Sequence, residues 1–320
     1  MAKYVADKIL QSQFFHNFDD VNIQHLYFMT ALRIQALVCL AFLSAVLPAY
    51  MRAAQAEISE LNYLREDSIL WRQYEADCER LFQTCHEGSV GEEDVNVAWE
   101  ELYGKASKRN VDLALRYATV PSGLRRLYMV RHLVAKDQLA EKLSNLPDSL
   151  MHNKYAGYIR DYISVEQKKA GDVFEPFECF SGDGSRFDWG ALTGKHCLLI
   201  FDGLYCMGER GRGCLKDLQA KADSSQFQIV IYVKSKDIGR LKEEEKKFPQ
   251  FKLVSDFQPE GSPMNILYNC QASPTCFMID SFGKICFVTE GLEAEKLDAY
   301  LLRNGCGRHD LRSGCCKGHD

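Results

Sequence analysis

The sequence has fewer positively charged residues than negatively charged ones. The chain has 39 lysine and arginine residues against 44 aspartate and glutamate residues, and its formal net charge at pH 7 is −5. Proteins whose main partner is a nucleic acid or an acidic membrane surface carry a basic stripe instead. The composition therefore predicts that nucleic acid is not a partner.

Several catalytic motifs are also missing. The sequence contains no Walker loop for nucleotide phosphates, no Gly-x-Ser-x-Gly turn for a serine nucleophile and no His-Glu-x-x-His helix for zinc. We therefore expect no cofactor.

The spacing of a metal-binding finger is absent as well. The C-terminal tail has residue types that suit zinc or copper, namely Cys306, His309, Cys315, Cys316 and His319. They lie in a glycine-rich stretch without the spacing of a known finger. We predict no metal site, and capture of zinc or copper by the tail is the alternative.

The apolar run at residues 36–49 is shorter than the roughly 20 residues that a membrane-spanning helix needs. A basic residue precedes this run and Ala54-Gln55-Ala56 follows it, which is the order of a secretory signal peptide. We predict a signal-peptide-like segment at residues 29–56, with translation starting at Met29, and hence a periplasmic or cell-envelope protein. The alternative is a buried helix, or a membrane association through residues 36–50 if the segment is not cleaved.

Cysteine is abundant, with 13 residues. Exported proteins keep disulfides, but a cysteine within an apolar run is more often a small buried side chain. Cys197 and Cys286 lie in such runs, so we expect both to be buried. Because the count is odd, at least one thiol stays free within a single chain.

Residues 57–170 have helical periodicity and lack the alternation of a β-strand. A stripe that we expect to face the core combines Leu61, Leu64, Trp71, Tyr74, Cys78, Leu81, Phe82 and Cys85. Pro121 and Pro147 are expected at helix starts. This region is predicted to be an all-helical domain of four or five helices.

Residues 171–303 have a different pattern, in which short apolar runs alternate with helical stretches. The predicted strands are PFECF, CLLIF (197–201), FQIVIYV (227–233), TCFMI (275–279) and ICFV (285–288). Alternating strands and helices favour parallel crossovers, and the last two strands form a hairpin. The fold class is α/β, a mixed sheet flanked by helices, followed by a Cys/His-rich tail at 304–320.

The order of motifs in this region resembles a known family. Asp183-Gly184, then Leu192-Thr193-Gly194-Lys195, then a strand, and finally PTCFMIDSFGKI are similar to the TlpA/ResA-like (AhpC/TSA-type) branch of bacterial exported thiol-disulfide oxidoreductases. The resemblance covers about residues 171–302 and implies a C-terminal thioredoxin-like fold. It also implies that Pro274 is the cis-proline of the family.

The active-site motif departs from that family. The family has an aromatic residue and a Cys-x-x-Cys pair at the start of a helix. Tyr205 matches the aromatic residue and Cys206 the nucleophilic cysteine, but Glu209 stands where the second cysteine would be. Ile200 falls near the position of the family's buried acid. The Cys-x-x-Cys motif is therefore degenerate.

Whether Cys206 is reactive stays open at this stage. A helix N-terminus and the nearby Arg210 and Arg212 favour the thiolate, whereas Glu209 opposes it. Cys214 is about 12 Å away along a regular helix, beyond disulfide reach. It could resolve an intermediate at Cys206 only if residues 207–213 form a loop, which their three glycines permit.

Two functions follow. The first is an exported thiol-disulfide oxidoreductase that acts through the single N-terminal helix cysteine, Cys206, on protein thiols or disulfides, with Cys214 as a candidate second catalytic residue. The resemblance implies a substrate groove of Tyr205, Glu209, Ser273, Pro274 and Thr275. The alternative is a non-catalytic thioredoxin-fold binding module, because a fold alone does not confer activity. A peroxiredoxin is disfavoured, since no Pro-x-x-x-Thr/Ser-x-x-Cys loop precedes either cysteine.

Overall fold

The computed structural model describes residues 58–87 and 91–307, and the chain divides into two compact units, residues 1–62 and 63–320. Of the first unit it describes residues 58–62, where the first helix begins. The predicted signal segment and the tail histidines lie outside the described residues. Within the described ranges, no helix is both long and apolar enough to span a bilayer.

An all-helical region precedes the sheet, as predicted. Its α-helices are α1 (Glu60–His86), α2 (Glu92–Arg116), α3 (Pro121–Val130), α4 (Lys136–Ser144), α5 (Asp148–Met151) and α6 (Lys154–Ser164). Pro121 is the first residue of α3, and Pro147 is the N-cap of α5, so both predicted helix starts are confirmed. The region has more helices than expected because 147–164 divides into two.

The core of the helical region lies among α3, α4 and α6. Leu124, Leu127, Leu139 and Ile159 are fully buried there. The stripe predicted on α1 is not its buried face. Leu64 and Phe82 are about half exposed, at 50% and 49%, and Cys78 and Cys85 are only partly buried.

The predicted mixed sheet is confirmed, with the strand order β3-β2-β1-β4-β5. The first three strands are parallel, and β4 and β5 form the predicted antiparallel hairpin. The elements are β1 (His196–Phe201), α7 (Gly208–Lys221), β2 (Phe227–Tyr232), α8 (Ile238–Lys247), β3 (Lys252–Val254), α9 (Pro263–Ile266), β4 (Thr275–Ile279), β5 (Ile285–Glu290) and α10 (Ala294–Arg303).

Two differences from the predicted strands stand out. The segment PFECF is not a strand, because only Phe180 makes isolated bridges, to Arg186 and Ser255. Residues Lys252–Val254, which the sequence did not single out, pair with β2 as a short third strand.

Strand β1 is buried on both faces, which explains its continuous apolar sequence. Leu198 and Ile200 pack against α7, α8 and α10. Cys197, Leu199 and Phe201 point to the other face, where the loop around Trp189 and the α9 region cover them. The C-terminal end of β1 therefore leaves a packed sheet and enters the turn before α7.

The helical region packs on the segment that follows β3. Glu260 is the centre of this contact. Its carboxylate accepts hydrogen bonds from Lys154 and, at 3.1 Å, from the Tyr155 hydroxyl, and its backbone oxygen accepts one from the Tyr128 hydroxyl. Ile266 of α9 belongs to the core of the helical region. The two parts of residues 63–307 are thus packed together.

We expect the Glu260 contact to be sensitive to acid. Burial raises the pKa of the Glu260 carboxyl, but the hydrogen bonds from Lys154 and Tyr155 lower it more, so its pKa lies below the ordinary 4.5. Its contribution to stability is therefore present above about pH 4.5 and is lost as the pH falls through the folded-state pKa. Glu260→Gln should lower the free energy of unfolding by about 0.5–1 kcal/mol at pH 7, because the pair is partly exposed.

Urea denaturation of both proteins between pH 3 and pH 7 measures this effect. The difference between them should shrink below pH 4.5. Glu243→Gln, at an exposed position of α8, is the matched control and should show a negligible difference at every pH. A gap that stays constant down to pH 3 would contradict the assignment.

Candidate functional site

Cys206 lies in the turn between β1 and α7, two residues before the helix begins. Its side chain is exposed, and its thiol is free. The backbone enters the turn through two residues with positive φ, Asp202 at 54° and Gly203 at 87°. This reversal brings the cysteine to the edge of the sheet at the C-terminal end of β1.

Pro274 lies directly against this turn. The Ser273–Pro274 peptide bond is cis, as the resemblance implies for this position. A Cβ built on Gly203 would lie 2.6 Å from the Pro274 Cβ and 2.7 Å from its backbone nitrogen. Only glycine fits both the positive φ and this approach. The cysteine turn and the proline loop are therefore in contact.

The two neighbours of Pro274 have different environments. Thr275 is buried, and its hydroxyl donates to the Ala272 carbonyl oxygen at 2.8 Å. The Ser273 hydroxyl oxygen is buried and has no hydrogen-bond partner among the described residues. A buried hydroxyl is normally satisfied, so Ser273 is an exception in the proline loop.

Tyr205 is held by a network that the sequence did not suggest. Its hydroxyl donates to the Glu244 carboxylate at 2.7 Å and accepts from Lys247 at 3.1 Å, and its ring meets Phe248 edge-on at 5.7 Å. Glu244 is buried although it is charged. The hydrogen bond to Tyr205, then that to Glu244, raises the pKa of Lys247. The residue before Cys206 is thus tied to α8.

The basic residues near the cysteine do not all act as the sequence suggests. Arg212 donates to the Leu204 carbonyl oxygen at 2.8 Å, and its guanidinium lies 5.8 Å from the Phe248 ring centre. It stabilises the turn backbone. Arg210 and Glu209 are exposed side chains in the first turn of α7.

Cys214 lies away from Cys206. Residues 208–221 form a helix, so the loop that a bridge between the two cysteines needs is not present. Gly208 and Cys214 are separated by about 9 Å at 1.5 Å per residue. Cys214 lines a small cavity of about 80 Å³ between α7 and α10, together with Leu218 and Leu297.

The position near the family's buried acid is apolar in this fold. Ile200 is fully buried against the helices that cover its face of the sheet. A buried acid occurs elsewhere, at the end of β3. Asp256 accepts from the Tyr232 hydroxyl at 2.6 Å, and its second carboxylate oxygen has no partner among the described residues. Tyr232 lies on the face of the sheet opposite α7. The sequence contains no motif that links Tyr232 to Asp256.

Burial separates the other thiols from Cys206. It raises the pKa of Cys179, Cys197 and Cys276 to about 12, and that of Cys270 well above its ordinary value. These four are protonated at neutral pH and covered by the core. Cys197 is buried as predicted, but the same prediction for Cys286 is wrong, because Cys286 is exposed on β5.

Comparisons with known proteins give matches only among solved structures. No family model matches the sequence, and no curated protein matches it. The sheet order, the helix after β1 and the cis-proline beside the cysteine turn decide the architecture. The C-terminal fold is thioredoxin-like.

Three similar structures illustrate the match. A thiol-disulfide oxidoreductase from Bacteroides fragilis is 18% identical, and the match covers 41% of this chain and 99% of that one with a TM-score of 0.36. A thiol-disulfide isomerase from Corynebacterium glutamicum is 17% identical over 43% and 97% of the two chains, with a TM-score of 0.36. A thiol peroxidase from Chromobacterium violaceum is 9% identical over 44% and 90%, with a TM-score of 0.35.

Proposed function

We propose that this chain is an exported thiol-disulfide exchange protein that acts through the single cysteine Cys206. The observation that carries the proposal is an exposed thiol in a turn that packs against cis-Pro274. Protein thiols or disulfides are the proposed substrates.

The reaction would run in two exchanges. The Cys206 thiolate attacks one sulfur of a protein disulfide, a mixed disulfide forms, and the other sulfur leaves as a thiolate. Because Cys214 lies inside α7, beyond the reach of Cys206 in the turn before it, the second thiol comes from another molecule. That thiol attacks the mixed disulfide and returns Cys206 to its reduced form.

Substitution of the two cysteines tests this mechanism. Cys206→Ser should abolish mixed-disulfide formation with a disulfide-bonded peptide, measured by mass spectrometry under non-reducing conditions. In Cys214→Ser the rate of mixed-disulfide formation should stay within about twofold of the wild-type rate, because no step uses Cys214. Loss of exchange in Cys214→Ser would refute the single-cysteine mechanism.

The same assay separates exchange from binding alone. If the wild type binds the peptide but forms no mixed disulfide, the chain is a non-catalytic thioredoxin-fold binding module.

Export is proposed from the segment at residues 29–56. N-terminal sequencing of the mature protein tests it, and a peptide from residues 1–28 in the purified protein would refute it.

A further inference from the structure

A second exposed cysteine belongs to a cluster at the other end of the sheet. Cys286 lies on the edge strand β5, with its sulfur 3.6 Å from the Tyr300 hydroxyl of α10. That hydroxyl lies 2.7 Å from Nδ1 of His196, the first residue of β1. The three side chains form a continuous path from a thiol to an imidazole.

The hydrogen-bonding capacity of this path fixes its direction. A tyrosine hydroxyl has one proton, and it donates that proton to Nδ1 when the neutral imidazole carries its own proton on Nε2. Burial lowers the pKa of His196, and only the charge of Asp280 opposes this, so the neutral form prevails at neutral pH. In that tautomer the Tyr300 oxygen can accept the proton of the Cys286 thiol, which is also placed to donate to the Lys284 carbonyl oxygen. A proton leaving Cys286 can pass through Tyr300 to His196.

This cluster is separate from Cys206. Cys206 follows the C-terminal end of β1, whereas His196 begins that strand. A strand of this length spans about 17 Å at 3.3 Å per residue. Within one chain, Cys286 therefore does not resolve a disulfide at Cys206.

The surroundings of Cys286 indicate which reactant fits. Lys284 is exposed two residues before it, and its carbonyl oxygen lies 3.7 Å from the Cys286 sulfur. Lys296 is exposed on α10, with its ammonium nitrogen 4.8 Å from the ring centre of Phe287. Lys296 pairs with Glu293 at 3.3 Å, and the Asp280 carboxylate accepts from the Lys284 backbone N–H at 2.8 Å, so charges of both signs occur in this part of the surface. Glutathione disulfide carries carboxylate and ammonium groups, so its charges can pair with both.

We propose that Cys286 is a second exchange site, which takes a small disulfide such as glutathione disulfide. The Cys286 proton moves through the Tyr300 hydroxyl to His196, and the thiolate attacks one sulfur of the disulfide. A new S–S bond joins Cys286 to one glutathione, and the other leaves as a thiolate that takes the proton back from His196. The Cys286 sulfur is oxidised and the departing sulfur is reduced, so the electrons balance.

The test uses the full chain carrying Cys206→Ser, which removes the other exposed site. The folded protein is treated with glutathione disulfide, and the mixed disulfide at each cysteine is followed by peptide mass spectrometry. Among the cysteines that the structure describes, Cys286 should react first. Tyr300→Phe and His196→Gln should each slow the reaction of Cys286 by at least about tenfold. This is a modest expectation, because general-base assistance usually contributes more than that. Cys78, a partly buried cysteine on α1, is the internal reference and should react equally in all variants.

A second probe tests whether the same path serves another small disulfide. Cystamine is a disulfide with the opposite charge, and its reaction at Cys286 should be slowed by the same two substitutions. Equal rates at Cys286 in the parent, Tyr300→Phe and His196→Gln proteins would overturn the proton path. Because Cys206 is absent throughout, failure here leaves the function proposed for Cys206 untouched.

Discussion

Replacing Gly203 with alanine should lower the free energy of unfolding by about 3 kcal/mol and impair exchange at Cys206. Positive φ, here 87°, costs a residue with a side chain about 1 kcal/mol. The added methyl would also lie 2.6–2.8 Å from three atoms of Pro274, two of which are backbone atoms. Those atoms must move, and overpacking of this kind costs about 1–3 kcal/mol more.

Two glycines in the same segment serve as matched controls. Gly208 has φ 62° but open space around it, so Gly208→Ala should cost only about 1 kcal/mol. Gly213 lies inside α7 with nothing within 4 Å of an added Cβ, and Gly213→Ala should stabilise the protein by about 0.5–1 kcal/mol. Urea denaturation ranks the three variants. If Gly203→Ala costs no more than Gly208→Ala, the contact with Pro274 is not tight.

Replacing Arg131 with alanine should lower the free energy of unfolding by about 3 kcal/mol. The side chain is 3% exposed and donates to the carbonyl oxygens of Tyr128, at 2.8 Å, and of Asn265. Its guanidinium also lies 4.3 Å from the Tyr128 ring centre and 5.2 Å from that of Tyr162. Alanine leaves a cavity and two carbonyl groups without this partner, which costs about 1–3 kcal/mol for the hydrogen bonds alone.

Arg131→Met separates packing from hydrogen bonding. Burial lowers the pKa of Arg131, which reflects the cost of keeping its charge away from water. Methionine fills most of the volume without that cost, so it should recover about 1–2 kcal/mol relative to alanine. Calorimetry provides a second readout, because weaker docking on Asn265 should separate the unfolding of the helical region from that of the sheet. A single transition and a loss below 1 kcal/mol in Arg131→Ala would contradict this view.

The hairpin was predictable because its signal is local, and the cis bond at Pro274 because the family resemblance implied it. TCFMI matches β4 residue for residue, and Pro274 has the expected cis bond. The start of α7 was not predictable in this way. Glycines at 208, 211 and 213 disfavour a helix in isolation, but the Arg212 bond to Leu204 and the burial of Leu215 and Leu218 override that preference.

The partners of the site residues could not be read from the sequence. Tyr205 and Glu244 are separated by 39 positions, and no periodicity links them. Cys286 follows an apolar residue in an apolar run, which indicates burial. It is exposed because β5 is the edge strand and Cys286 lies on the side that is open to water.

The shared position of Ile266 bears on how this protein can be divided for experiments. Ile266 closes the core of the helical region, yet it belongs to the segment that leads, eight residues later, to Pro274. A shortened chain that begins at residue 171 would expose this isoleucine to water. It would also lack the helical residues that hydrogen-bond to Asn265 and Glu260. The thioredoxin-like part alone would thus differ from the intact protein beside the proposed substrate groove, and activity measured on such a fragment would describe a different molecule.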